Sequence, residues 1–238
     1  MTEFLFRADT YMRSAPAQII EVLADGGIVL DRTVLYAASG GQPGDTGQII
    51  LNTGATIPVE NTIHPAGDKT QFVHVPAAGN AIPSVGETVE VRVAWGRRYK
   101  LMRMHTALHL LSVAFPFPVT GGSIGEDKGR LDFGMPEVPA NLAELETQLN
   151  QMVRDAHPVT EEWITDDELL ANADLIKTMN VKPPMGQGRV RLIRIGSVDL
   201  QPCGGTHVRN TSEIGPLTIG KIENKGKQNK RVNLLFAS

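Results

Sequence analysis

Four side chains in this sequence have the types and the spacing to hold one metal ion: His105, His109, Cys203 and His207. His105 and His109 stand four residues apart. On a helix that spacing puts both imidazoles on one face, one turn apart, within reach of an ion about 2 Å from each nitrogen. Taken alone, the pair fits two histidines bordering an apolar core equally well. The segment Cys203-Gly204-Gly205-Thr206-His207 adds a second pair outside any helical pattern. Two glycines between Cys and His would let the backbone curl so that both side chains aim at one centre, and Pro202 fixes the approach. A lone cysteine usually fills apolar space; a histidine four residues on gives this one another use. Three nitrogens and one sulfur make a borderline-soft tetrahedral set, which favours zinc over magnesium or calcium. Spacing leaves open whether the ion is a staple between a helix and a distant loop or a reactive centre. Four protein ligands close a tetrahedral site, whereas catalysis needs an open or displaceable position. His207 is the ligand expected to be long, mobile or replaced by water.

The elements that must position these residues fall into two stretches. Residues 1–93 read as a small β-barrel domain. Short Val- and Ile-rich segments at 17–23, 27–30, 47–51, 71–75 and 88–93 are separated by turn residues at 25–27, 39–41, 52–54 and 65–67. Residues 94–238 read as an α+β domain with helices on a largely antiparallel sheet. There the spacing of Leu101, Met104, Leu108 and Leu111 predicts an amphipathic helix over 97–114, stopped by Pro116. A second helix is predicted over 141–156, with Asn141 as N-cap and Glu144 three residues on. Strands are expected at 159–164 and 190–195, one or two short helices over 166–179, and a closing hairpin from 214–223 and 231–236.

Composition bounds the partners. The chain has 238 residues, 41% hydrophobic and 21% charged, with a formal net charge of -3. Such a balance gives no global attraction to nucleic acid, so an RNA partner needs a local basic patch. At 5% aromatics an aromatic stacking platform for single strands is not expected. One cysteine excludes an internal disulfide. No apolar run approaches the roughly 20 residues of a membrane helix, and the first residues lack a secretory apolar region. The expected location is therefore the cytoplasm, with no membrane partner.

HTALHLL at 105–111, GEDKGRLDF at 125–133, CGGTH at 203–207 and EIGPLTI at 213–219 resemble the editing domain of alanyl-tRNA synthetase and its freestanding form, AlaX. SGGQPGDTG at 39–47 resembles the glycine-rich segment of the barrel domain that precedes it. The resemblance spans nearly the whole chain. It implies a zinc-dependent trans-editing hydrolase that removes serine or glycine from the acceptor end of tRNA(Ala). The need is physical. Glycine is smaller than alanine, and serine adds only a hydroxyl, which a first binding site rejects by roughly 10²-fold. The synthetase form carries a glutamine after the metal helix; here residues 119–123 have none. Thr120 or Ser123 is then expected to contact a serine hydroxyl. Backbone amides of a Gly121–Gly122 turn would stabilise the oxyanion. Asp199 either orients a histidine ligand or is a solvated strand-end carboxylate. Gly40, Gly41 and Gln42 either lean over the pocket or form a tight barrel turn.

Two basic runs are expected to meet tRNA phosphates: Arg97, Arg98 and Lys100 at the start of the metal helix, and Lys221, Lys225, Lys227, Lys230 and Arg231 about the last hairpin, where Glu223 is the only acid. Two other functions compete. One is a zinc-stapled RNA-binding module without catalysis. The other is a metallohydrolase of small esters or amides, which would not require a basic surface.

Overall fold

The structure, a computed structural model, describes residues 2–65, 68, 70–80, 82–178 and 188–237. Part of the predicted turn at 65–67 and the last residue of the predicted 166–179 segment lie outside them. The chain divides into two compact units: Met1–Ser39 with Pro43–Tyr99, and Gly40–Gln42 with Lys100–Ser238.

The first unit is a closed antiparallel barrel. After β1 (Glu3–Phe4) and the single-turn α1 (Leu5–Ala8) come β2 (Ser14–Val22), β3 (Ile28–Leu30), β4 (Arg32–Thr33), β5 (Gly47–Leu51), β6 (Thr56–Ile63), β7 (Val73–Pro76) and β8 (Thr88–Val93). The barrel closes in the order β2-β3-β7-β6-β5-β8, and β1 pairs with β4 outside it. Period-2 burial drives this. Ala15, Ala17 and Ile19 point inward from β2, and Val89, Val91 and Val93 from β8, to meet Ile49, Ile57 and Val59. Strand β6 lacked a clear sequence signal because Pro58, Glu60 and Asn61 interrupt its apolar alternation.

Two buried polar groups hold the barrel's interior. His74 bonds through Nδ1 to Ile28 O (2.9 Å) and through Nε2 with Thr33 Oγ1 (2.8 Å). Arg98 is fully buried and forms an ion pair with the equally buried Asp45. Its Nε lies 2.9 and 2.8 Å from the two carboxylate oxygens, and its Nη2 donates to Val34 O at 2.7 Å. This corrects the expectation that Arg98 meets tRNA. With no exposed surface it cannot reach a phosphate.

Helix α2 (Trp95–Ala114) begins two residues earlier than predicted. From Leu101 onward it is not amphipathic: Met102 and Leu110 are as buried as Leu101, Met104 and Leu111. Within the second unit it lies over a sheet in the order β14-β15-β10-β9, built from β9 (Val119–Ile124), β10 (Lys128–Phe133), β14 (Leu217–Gly226) and β15 (Asn229–Phe236). A Cβ on Gly129 of β10 would stand 2.8 Å from Met104 Cγ, so glycine lets helix and sheet approach.

Helix α3 (Leu142–Arg154) follows, with β11 (Val159–Ile164), α4 (Asp166–Ala171), a 3₁₀ turn at Ala173–Leu175, β12 (Val190–Ile195) and β13 (Asp199–Pro202). Strands β11-β12-β13 form a second antiparallel sheet. Asn141 is the N-cap of α3, but no side-chain hydrogen bond caps the helix; instead its Nδ2 donates to Glu144 Oε2 (3.3 Å). The expected hairpin starts late, because Thr211–Ile214 is a 3₁₀ turn ended by Gly215 at φ +77°. Among the described residues no helix is long and apolar enough to cross a membrane.

Candidate metal centre

His105 and His109 lie one turn apart on α2. Cys203 follows β13, and His207 ends the glycine-containing loop. The four donor atoms all lie within 4.8 Å of one another. Cys203 Sγ is 3.4 Å from His105 Nε2 and 3.2 Å from His207 Nε2. The three histidines are nearly buried, while Cys203 is partly open. His207 is 4% exposed, and Thr106 holds its ring from behind.

Each imidazole has its Nδ1 engaged by a different acceptor, and this decides what faces the centre. Gln42 Oε1 accepts the Thr206 N–H (3.0 Å), while its Nε2 donates to Thr206 Oγ1 (2.8 Å). A backbone N–H only donates, so the amide orientation is set, and His105 Nδ1 donates to Oε1 at 2.9 Å. Thr106 Oγ1 donates to Met102 O (3.0 Å), so it receives His207 Nδ1–H at 3.1 Å as an acceptor. His109 Nδ1 donates to Asp199 Oδ2 at 3.1 Å. With all three Nδ1 atoms engaged outward, the three Nε2 atoms face one sulfur, the arrangement in which outer partners orient metal-bound histidines.

Asp199 is itself held. Its side chain is fully buried, Lys177 Nζ reaches Oδ1 at 2.5 Å, and Gln201 Nε2 donates to Oδ2 at 2.7 Å. Burial works to raise its pKa, but His109, Lys177 and Gln201 hold it at about 2. Burial would lower His109; the hydrogen bonds to Asp199 and Cys203 overcome it and raise the ring to about 9. Burial would also raise the Cys203 thiol, yet His105 and His207 beside it hold it well below its ordinary value. His207 is pushed well down, by burial first and then by His105. These neighbours favour the thiolate, the form that binds metal.

The loop owes its course to Arg191 on β12, which is 7% exposed. Its Nη1 donates to Cys203 O (3.0 Å) and Gly205 O (2.8 Å), and its Nη2 to Glu161. The Gly205–Thr206 peptide is thus gripped at its oxygen by Arg191 and at its N–H by Gln42. Neither Gly204 nor Gly205 has positive φ, so the loop does not need their conformational freedom. Gly205 is needed for space: a Cβ there would stand 2.3 Å from His105 Cε1, whereas one on Gly204 would meet nothing within 4 Å.

Gly40–Gln42 lies along the outer edge of β9. Ile124 N donates to Gly41 O (2.9 Å), and a Cβ on Gly41, whose φ is +84°, would stand 3.0 Å from Gly122 O. Gly121 and Gly122 are not in a turn, as expected, but in this edge strand, paired with Asp132 and Leu131. Two adjacent glycines mimic a turn signal; the ladder with β10 overrides it. Since the Ile124 N–H points outward, alternation directs the Gly122 N–H to the same edge and the Gly121 N–H toward β10. Thr120 Oγ1 lies 3.1 Å from both Asp132 O and Asn229 Oδ1, and Ser123 is exposed.

The basic residues separate by environment. Lys230 is 9% exposed and turns back to Asn224 Oδ1 (3.3 Å) and Gly226 O (3.4 Å), which corrects its assignment to tRNA. Arg231 pairs with Asp132 across the sheet (2.8 Å), an acid that a reading of the hairpin alone does not find. Lys225 pairs with Glu223 and Lys100 with Asp127, both at 2.9 Å. Arg97 donates to Gly44 O at 2.8 Å. Lys221 and Lys227 are exposed. Sequence reasoning missed Thr106, Lys177, Gln201 and Arg191. Thr106 adjoins a ligand; Gln201 and Arg191 enter through strand register, and Lys177 from the segment after the Ala173–Leu175 turn.

Comparison with known proteins follows the same lines. Residues 190–233 match the family described as threonyl and alanyl tRNA synthetase second additional domain, and residues 8–97 match tRNA synthetases class II (A). The chain is 35% identical to the alanyl-tRNA editing protein AlaX-M of Methanosarcina acetivorans over 98% of both chains. It is 31% identical to AlaX-M of Saccharolobus solfataricus, again over 98% of both. It is also 34% identical to an alanine–tRNA ligase of Pyrobaculum arsenaticum, over 93% of this chain and 25% of the ligase.

Proposed function

The chain belongs to the AlaX family of alanyl-tRNA editing proteins, and from this we propose that it is a cytoplasmic trans-editing deacylase. Its substrate would be tRNA(Ala) carrying serine or glycine. The observation that carries this reading is the convergence of three imidazoles and one cysteine sulfur in a chain that aligns end to end with editing proteins. His105, His109, Cys203 and His207 would hold zinc, whose preference for tetrahedral nitrogen and sulfur donors suits the set. When bound, zinc supplies Lewis acidity toward a carbonyl or a water.

The rest falls to the chain. Water adds its oxygen to the aminoacyl carbonyl carbon, the bond to the ribose oxygen breaks, and a proton passes to that oxygen. Gly122 N–H, directed to the outer edge of β9, donates to the oxyanion as it forms. Ser123 and Thr120 are the nearby hydroxyls for a serine side chain. Gln42 holds His105 in its tautomer, and with Gly40 and Gly41 walls the edge of β9. Asp199 holds His109. Arg97, Lys100, Lys221, Lys225, Lys227 and Arg231 supply phosphate contacts.

The test is hydrolysis of Ser-tRNA(Ala) and Gly-tRNA(Ala) by the wild type and by Cys203→Ser, with folding checked by circular dichroism. Turnover by the wild type and a loss of at least about 10²-fold in the folded variant is expected. A folded variant that retains full turnover would leave the metal as a staple.

A further inference from the structure

The sheet β11-β12-β13 has two unlike faces. One is apolar: Ile164, Val190, Leu192 and Leu200 are covered by Leu169, Leu175 and Ile176. The other carries the buried Ile193 and Ile195 together with the supports of the metal centre, Arg191, Asp199 and Gln201. On this second face Trp163 of β11 stands opposite Arg191 of β12. Cys203 continues the same register, since its N–H donates to Arg191 O at 3.1 Å. Residues directly opposite in an antiparallel ladder share a face. Trp163, Arg191 and Cys203 thus form one row across the sheet that ends at a metal ligand.

The row changes character along its length. Arg191 is drawn down onto the carbonyls of Cys203 and Gly205 and onto Glu161. Trp163 stays 47% exposed, and the cluster of Leu169, Val190 and Leu192 lies on the opposite face. Two strand spacings, about 10 Å, separate its backbone from that of Cys203. In an aminoacylated tRNA only a ribose stands between the ester and the terminal adenine. The base of a substrate whose ester lies at the four donors therefore falls within one nucleoside of them. Glu161, the acid on this face beside Trp163, is neutralised by Arg191, so it does not repel the adjoining phosphate. An indole offers a flat surface on which any base stacks.

We propose that Trp163 is the stacking platform for the terminal adenine of the aminoacylated strand. The assignment rests on the deacylase reading and extends it to the nucleoside that the site takes.

The test uses an acceptor minihelix ending in CCA, with serine attached through a non-hydrolysable amide. The chain has two tryptophans, so a Trp95→Phe background makes Trp163 the sole indole reporter. Binding should quench its fluorescence, and the same minihelix lacking the terminal adenosine should not. Trp163→Ala should weaken minihelix binding about tenfold, and Trp163→Phe should recover most of it. Zinc content should be unchanged in both. Binding without quenching, equal affinity in Trp163→Ala, or equal quenching without the terminal adenosine would each overturn the assignment; the last would place the indole against another part of the RNA. None of these readouts needs turnover. Failure of the wild type to hydrolyse the ester substrate strikes the deacylase reading separately.

Discussion

An alanine at 205 would put its Cβ 2.3 Å from His105 Cε1, 2.6 Å from His105 Nδ1 and 2.7 Å from Gln42 Oε1. Both neighbours are pinned, His105 by Gln42 and Gln42 by Thr206, so neither has room to yield. Gly205→Ala should lower zinc affinity by about 10–100-fold, the usual cost of disturbing groups that orient metal ligands. Gly204→Ala should leave it unchanged. Metal titration with a competing chelator separates them, and equal affinities would contradict this account of the loop. The two glycines look alike in the sequence, where both are read as aids to curling. What distinguishes them is a histidine about a hundred residues away. The ligands themselves were legible because HxxxH and CxxxH are short local patterns. Gln42 and Asp199 stood out only as candidates, and Arg191 and Lys177 not at all, since strand register brings in the first and the segment after the Ala173–Leu175 turn the second.

At the scale of elements, the barrel makes two predictions. Its buried His74 is held down to about 4 from the usual 6.5, by burial. A histidine depressed in the folded state contributes its full share of stability above pH 6.5 and loses it as pH falls toward 4. The shift is worth roughly 3 kcal/mol over that window. Urea unfolding at pH 7 and pH 4.5 should show wild type losing more stability than His74→Gln; parallel losses would refute it. Arg98→Ala should lower stability by about 3–5 kcal/mol, because it strands Asp45 as a buried charge, and a loss of tRNA affinity without loss of stability would contradict its structural role. The barrel was readable from period-2 segments such as Thr88–Val93. Helix α2 misled, because an apolar stripe is also what an all-round buried helix presents when read on one face. Strand β9 was hidden by Gly121-Gly122, whose edge position depends on β10 and on the Gly41 carbonyl.

For the whole molecule, a net charge of -3 forces RNA affinity to rest on few exposed cations. With Arg98 and Lys230 buried, six of the eight cations read as phosphate contacts remain: Arg97, Lys100, Lys221, Lys225, Lys227 and Arg231. Several of these are already paired with acids, so the salt dependence should be shallow for a nucleic-acid binder. Removing Lys221 and Lys227 together should reduce the slope of log Kd against log salt by about 1.5. An unchanged slope would move the phosphate contacts elsewhere. Metal-dependent discrimination between amino acids on one tRNA is tested by single-turnover hydrolysis of Ser-, Gly- and Ala-tRNA(Ala) by protein stripped with a chelator and then titrated with zinc. Activity should return linearly to a plateau at one zinc per chain, with the serine or glycine ester cleaved much faster than the alanine ester. Full activity in the stripped protein, or alanine released as fast as the others, would contradict it.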